Sequence, residues 1–237
     1  MAYYPVFLDL TDRACLVVGG GRVGLEKVRG LLRADARVTV ISPTLDPAVQ
    51  VLVDDGRAAY LARDYVNGDM VGYEIIIVAT DDRSANAAIH AEGRSRGIWV
   101  NSADDAKNCD FILPSVVRRG PITIGISTGG GSPAMARRVR EELTDYFTED
   151  FEGLAELLAE VRTELKTHGV LRHIDQETWE RAIDGPLRAL IAQRRWGQAK
   201  ARLLSALGAP LVPPPLPEAR PPSGSASPVG ASVEPLP

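Results

Sequence analysis

The run Gly19-Gly20-Gly21-Arg22-Val23-Gly24 places glycines at 19, 21 and 24. That G-x-G-x-x-G spacing lets a chain turn tightly, brings bare backbone up to a pyrophosphate, and packs a helix closely on a strand. The run follows an apolar, strand-like stretch (Ala14–Val18) and opens a stretch of helical periodicity, so the first helical N–H groups point at whatever anion sits there. Gly19, Gly21, Arg22, Val23 and Gly24 are therefore candidate ligands for a dinucleotide. About 20 residues on, where an NAD site usually carries an acid for the ribose, the chain reads Ser42-Pro43-Thr44. The hydroxyls of Ser42 and Thr44 suit a ribose. Arg22 and Arg63 are the basic residues that would meet a 2′-phosphate, and the local chemistry leans to NAD over NADP.

Three further groups carry chemistry. Val78-Ala79-Thr80-Asp81-Asp82 ends a buried-type strand, which puts Thr80 at the carboxyl edge where open α/β sheets bind ligands. Asp81 or Asp82 reads as the cap of the helix that follows. Asn101-Ser102-Ala103-Asp104 ends the next strand and delivers a carboxylate to the same crevice. A base there takes a proton while a nicotinamide accepts hydride, and a solvated loop aspartate is the alternative. Thr128-Gly129-Gly130-Gly131-Ser132, opening a helix at Pro133, is a second possible anion cradle beside Arg118, Arg119, Arg137, Arg138 and Arg140. Those arginines read equally as a solvated face paired with Glu141 and Glu142. Cys15 reads as a small core residue. Cys109 and the scattered His90, His168 and His173 make no metal-ligand spacing.

The elements that must position these groups alternate. Strand patterns fall at 14–18, 37–41, 57–62, 74–79 and 98–101, with helical patterns at 22–34, 48–53 and 83–96. This rhythm predicts an α/β fold, a Rossmann-type parallel sheet with right-handed crossovers. After Asn101 the pattern changes. Phe111–Val117 and Ile122–Ser127 read as two strands joined by a tight turn at Gly120-Pro121, and amphipathic helices follow, the last from Trp179 to Leu204 with a break near Gly185-Pro186. The expected organisation is a dinucleotide-binding domain over 1–113, a strand-pair region over 114–149, a helical region over 150–208, and a proline-rich tail over 209–237. That tail holds most of the chain's 17 prolines and too little apolar bulk for a core, so it is expected to be disordered.

Composition narrows the classes. Across 237 residues, 45% hydrophobic and 24% charged content is ordinary for a globular protein, which argues against a wholly disordered chain. With 27 basic and 31 acidic residues the net charge is −4, so a nucleic-acid partner is not expected. No apolar run approaches the ~20 residues that span a bilayer, and the first ten residues lack a signal-peptide pattern. A cytoplasmic protein without a membrane partner is the expectation.

Several blocks together resemble the precorrin-2 dehydrogenase and sirohydrochlorin ferrochelatase family, which includes the N-terminal module of siroheme synthase. They are Tyr4–Leu10, Cys15–Val23 with Lys27, Ala79–Asp82, Asn101–Asp104 with Lys107, Phe111–Ser115, Ser127–Ala134 and Ala136-Arg137. The likeness runs from about Tyr3 to Phe147. It implies NAD-dependent oxidation of precorrin-2 to sirohydrochlorin, with Asp104 as the residue aligned with the family's catalytic aspartate. It also implies a homodimer whose middle segment packs across the subunit interface. The substrate's carboxylates would give Arg118, Thr128, Gly129, Gly130, Ser132 and Arg137 a binding role. Thr128 stands where the family often has serine. Some members also insert Fe²⁺, so a ferrochelatase is the alternative enzyme, and an NAD-sensing module without catalysis is the alternative outside enzymes. The family's multifunctional members continue into a methyltransferase domain, so methylation of uroporphyrinogen is not expected of this chain.

Overall fold

A computed structural model of the chain describes residues 3–103, 105 and 108–209. Asp104, Lys107 and the proline-rich tail from 210 onward lie outside the described residues.

Strands β1 (Ala14–Gly20), β2 (Arg37–Leu45), β3 (Ala58–Leu61), β4 (Ile75–Val78) and β5 (Trp99–Ser102) form one sheet in the order β3-β2-β1-β4-β5. Every pairing in it is parallel, and β1 is central because its four buried residues, Cys15–Val18, have no solvent face to offer. Alternation then divides the core. Cys15, Val17, Ile75 and Ile77 point to the face covered by α1 (Arg22–Leu32) and α2 (Pro47–Asp54), packing with Leu25, Val28, Leu31, Val49 and Leu52. Leu16, Val18, Ile76 and Val78 point to the other face, toward Met70 and toward Ile89 of α3 (Arg83–Arg96). The order reverses at β1, between β2 and β4, so a crevice opens at their carboxyl ends.

Strands β6 (Ser115–Arg119) and β7 (Ile122–Ile126) form a separate two-stranded sheet, with Gly120 at a left-handed φ of 49° between them. The expected strand from Phe111 begins only at Ser115. Residues 109–111 are drawn instead onto β5, where Asp110 N–H donates to Val100 O and the Asn101 side chain donates to Phe111 O.

Helices α4 (Pro133–Tyr146), α5 (Glu149–Thr167), α6 (Gln176–Ala182), α7 (Gly185–Ala192) and α8 (Trp196–Ala206) follow. The chain divides into two compact units, with the divisions at Val116/Val117, Ile124/Gly125 and Arg140/Glu141. The first unit holds the parallel sheet. The second has its own core, in which Leu154, Leu157, Val161 and Leu165 of α5 meet Leu187 and Ile191 of α7 and Leu203 and Leu204 of α8. The final helical stretch is three helices rather than two. Asp184 caps α7 through Leu187 N–H, and Arg194 adopts a left-handed φ of 57° before α8. A non-glycine residue there leaves no Gly or Pro to announce the stop.

Candidate dinucleotide site

The glycines that end β1 and open α1 do three different jobs. Gly19 turns at φ 109°, and a Cβ on it would stand 2.3 Å from Ala79 O, so the chain passes against the end of β4. A Cβ on Gly24 would stand 2.2 Å from Gly19 O, which brings α1 down onto the turn. A Cβ on Gly21 would meet no protein atom within 4 Å, so the space in front of it is open. This is the pattern a pyrophosphate cradle requires: two glycines for packing and one that leaves room for a ligand.

The helix behind the cradle is built for an anion. Asp46 caps α2 and Asp82 caps α3, each accepting backbone N–H groups with its carboxylate. The N-terminus of α1 has no side-chain cap and no acid in its first turn. Its positive end therefore faces the open space before Gly21.

Sequence reasoning passed over Gly20, which packs the cradle against β2. A Cβ there would stand 2.4 Å from Leu45 Cδ2 and 2.6 Å from Thr44 O. The β1–β2 register shifts between Val18 and Gly20, so Gly20 pairs with Leu45 and β2 runs four residues further than expected. Its only sequence signal is a third consecutive glycine where the motif asks for two. The extension brings Ser42, Pro43 and Thr44 alongside the cradle. Ser42 is buried and its hydroxyl donates to Thr44 O at 2.7 Å, while Pro43 and Thr44 are exposed. Arg63 is engaged elsewhere: Asp69 takes its guanidinium in a two-pronged ion pair, with Nη2 at 2.8 Å from Oδ1. That pairing holds the Asp69 carboxyl below the usual carboxylate range.

Thr80 follows β4 after Ala79, and its backbone lies beside Gly19, which the approach of Gly19 to Ala79 requires. Asp82, rather than Asp81, caps α3, with Oδ1 accepting from Ser84 and Ala85 N–H. Asn101 is buried in β5 opposite Ile77, and its side-chain N–H groups go to Phe111 O and Cys109 Sγ.

The second glycine loop is self-contained. Thr128 Oγ1 accepts from Ser132 N–H at 2.9 Å and donates to Ser132 O at 3.1 Å, so its hydroxyl closes the loop on itself. Gly129 and Gly130 sit at φ 63° and 86°, and Ser132 Oγ accepts from Met135 N–H at the start of α4. Arg118 and Arg137 are exposed, Arg118 in the second unit and Arg137 in the first. Arg119 is instead spent on the end of α4, donating to Thr144 O and Phe147 O. Cys15 lies in the core with its thiol pushed up to about 11 by burial. Among the described residues no helix is long and apolar enough to cross a membrane, and no three acidic, histidine or cysteine side chains cluster as metal ligands.

A doubly wound sheet with an open, uncapped glycine cradle at its switch point defines a dinucleotide-binding protein of the Rossmann class. Residues 6–115 match the family model described as "Putative NAD(P)-binding", and residues 119–146 match "Sirohaem biosynthesis protein central". The two matches follow one another along the chain, where its sequence blocks resemble the siroheme-biosynthesis family. It is 37% identical over 231 residues to a siroheme synthase of Methylococcus capsulatus and 38% identical over 207 residues to one of Thioalkalivibrio sulfidiphilus. Those alignments cover 98% and 87% of this chain but 48% and 42% of the relatives, so the chain spans less than half the length of these curated proteins. The solved structure of SirC, a precorrin-2 dehydrogenase, superposes with a TM-score of 0.66 at 27% identity, covering 84% of this chain and all of SirC.

Proposed function

We propose that this chain is an NAD-dependent dehydrogenase that oxidises precorrin-2 to sirohydrochlorin in siroheme biosynthesis. The observation that carries the reading is the open cradle at Gly21 before an uncapped α1, in a chain that also bears the sirohaem central domain. The likeness to SirC over all of that protein's length supports the same reaction.

When bound, the nicotinamide supplies an acceptor for two electrons and one hydrogen of the substrate. The chain's residues do the rest. Backbone N–H groups of Arg22, Val23 and Gly24 hold the pyrophosphate, and Ser42–Thr44 border the adenosine ribose. The engagement of Arg63 by Asp69 removes one candidate partner for a 2′-phosphate and favours NAD. Thr80 and Asn101 border the nicotinamide side of the crevice. Asp104, two residues past β5, takes the proton that leaves the substrate carbon as the second hydrogen departs. In the first unit Arg137 and the loop of Thr128, Gly129, Gly130 and Ser132 are offered to carboxylates of the substrate, and in the second unit Arg118 is offered separately, each arginine as a charge partner. The working form is a homodimer.

The test is anaerobic incubation of the protein with enzymatically generated precorrin-2 and NAD⁺, following sirohydrochlorin and NADH together. Equal appearance of both is expected, and Asp104→Ala is expected to abolish turnover with NAD⁺ binding intact. Protein that binds NAD⁺ and forms no NADH overturns the reading. Metal insertion into sirohydrochlorin without NAD⁺ by such protein would make it a chelatase.

A further inference from the structure

The buried residues Asn86, Ile89 and Gly93 stand at helical spacing on the side of α3 that packs on the sheet, and the first of them is an amide. The other two meet apolar surface. Ile89 joins Val78 and Val100 in the core, and a Cβ on Gly93 would stand 2.3 Å from Val100 Cγ2. Asn86 is 4% exposed, and its Nδ2 donates to Thr80 O at 3.2 Å. A carbonyl only accepts, so the amide turns its nitrogen to Thr80, and its buried oxygen meets no donor among the described residues. A side chain that served packing alone would be apolar here, because an unmet buried acceptor weakens a fold. The bond to Thr80 is what the amide supplies and a leucine cannot. Thr80 is held on its other sides as well. Ala79 N–H, one residue before it, donates to Val18 O of β1 at 2.7 Å. The Thr80 hydroxyl accepts from Asp82 N–H at 3.3 Å, which leaves its own proton to offer.

We propose that Asn86 is a positioning residue for the nicotinamide end of the cofactor: its amide holds the Thr80 carbonyl and so fixes where the Thr80 hydroxyl stands in the crevice. The proposal rests on the reading of the chain as an NAD-dependent dehydrogenase with Thr80 beside the nicotinamide. Carbonyl and hydroxyl belong to one residue, so tethering the first limits rotation of the backbone that carries the second. The tether is itself rigidly placed. Asn86 lies in the first turn of α3, whose start is fixed by the Asp82 carboxylate on Ser84 and Ala85 N–H. Because Asn86 is buried, it acts through Thr80 rather than by touching the cofactor. The pyrophosphate is held at the glycine cradle and the adenosine ribose at Ser42–Thr44, so loss of the tether is felt at the nicotinamide and in turnover.

The test measures kcat with precorrin-2 and NAD⁺, and Kd for ADP-ribose, which keeps the pyrophosphate and lacks the nicotinamide. The proteins are wild type, Asn86→Leu, Thr80→Val and the double variant, with thermal melting of each. A displacement of a reacting group by about 1 Å can cost on the order of 100-fold, so Asn86→Leu is expected to lose at least about tenfold in kcat with ADP-ribose affinity within about twofold of wild type. Thr80→Val is expected to lose turnover too, and the double variant no more than the worse single one, because Asn86 works through the residue already changed. Asn86→Ala, which adds no bulk, gives the same reading if Asn86→Leu does not fold. Wild-type turnover in Asn86→Leu beside a slowed Thr80→Val overturns the tether and leaves the role of Thr80 standing. Losses that multiply in the double variant overturn it, and so does a parallel loss of ADP-ribose affinity, which marks a general structural defect. Full turnover in Thr80→Val overturns the placing of Thr80 at the nicotinamide, and the tether falls with it. Wild type that binds ADP-ribose and forms no NADH overturns the dehydrogenase reading itself, before any variant is made.

Discussion

The carbonyl oxygen of Gly19 occupies the place where a side chain on Gly24 would begin, 2.2 Å from the ideal Cβ position. Gly19 lies at the end of β1 and Gly24 in the first turn of α1, within touching distance of it. The contact is backbone against backbone, so neither partner can rotate away.

That relationship separates two substitutions that look alike in sequence. Gly24→Ala must push α1 off the turn, and overpacking of this kind costs about 2 kcal/mol, so its melting temperature is expected to fall along with its NAD⁺ affinity. Gly21→Ala adds a methyl to open space at φ −79°, a conformation alanine adopts freely. It is expected to melt like wild type and lose at least about tenfold in NAD⁺ affinity, because the methyl stands where the pyrophosphate approaches. Calorimetric NAD⁺ titration beside thermal melting checks both. Unchanged affinity in Gly21→Ala would refute the assignment of the cradle.

Glu92 is a buried carboxylate with three protein donors. Tyr65 Oη and Gly68 N–H each donate to it at 2.8 Å, and Arg96 Nε pairs with it at 2.8 Å one helical turn away. This hub ties the loop between β3 and β4 to α3. Burial of the ring, with the Glu92 carboxylate behind it, pushes the Tyr65 hydroxyl above the ordinary tyrosine range. Tyr65→Phe removes one bond to a buried charge and is expected to destabilise the first unit by about 1.5 kcal/mol, read from the midpoint of urea unfolding. A change below a few tenths would show that water replaces the hydroxyl without loss.

In the second unit Asp150 accepts from Arg188 Nε at 3.0 Å and Nη2 at 2.7 Å, and the same guanidinium lies 4.0 Å above the Phe151 ring. The Thr148 hydroxyl, with Arg188 behind it, lowers the Asp150 carboxyl from its ordinary value. A carboxyl lowered by folding stabilises the protein above its unfolded pKa, near 3.9, and that contribution fades as pH falls through the lower folded value. Asp150→Asn is therefore expected to be less stable than wild type at neutral pH, with the gap closing below about pH 4. Melting curves of both proteins across that range decide it, and a pH-independent gap would assign the loss to packing.

Much of the sheet unit was legible because its signals are local. Helix α3 has the bounds its periodicity predicts, Arg83–Arg96, since Asp82 caps one end and Gly97, at φ 71°, closes the other. The cradle was legible for the same reason: spacing, preceding strand and following helix sit within a dozen residues. What escaped depends on partners far along the chain or on groups with no pattern. The extension of β2 to Leu45 follows from the register shift at Gly20, which only the paired strand reveals. Phe111 read as strand because it opens the apolar run Phe111-Ile112-Leu113, yet its carbonyl is taken by the Asn101 side chain. The bonds by which the Thr128 hydroxyl spans the turn to Ser132 had no signal in the sequence either. Hydroxyls and thiols are small enough to serve their own loop, and composition does not distinguish that use from recognition.

The side chains along β5 also have a consequence for how this protein behaves in a crowd. A parallel sheet has two raw margins, and each is an invitation to another chain. At this margin the N–H groups of Val100 and Ser102 are already answered by a carboxylate and a thiol of the same molecule. A neighbouring strand would have to displace both before it could add to the sheet, and one of them carries a negative charge that resists an apolar newcomer. Replacing Asp110 with valine would reopen the margin, and self-association by sheet growth would begin there.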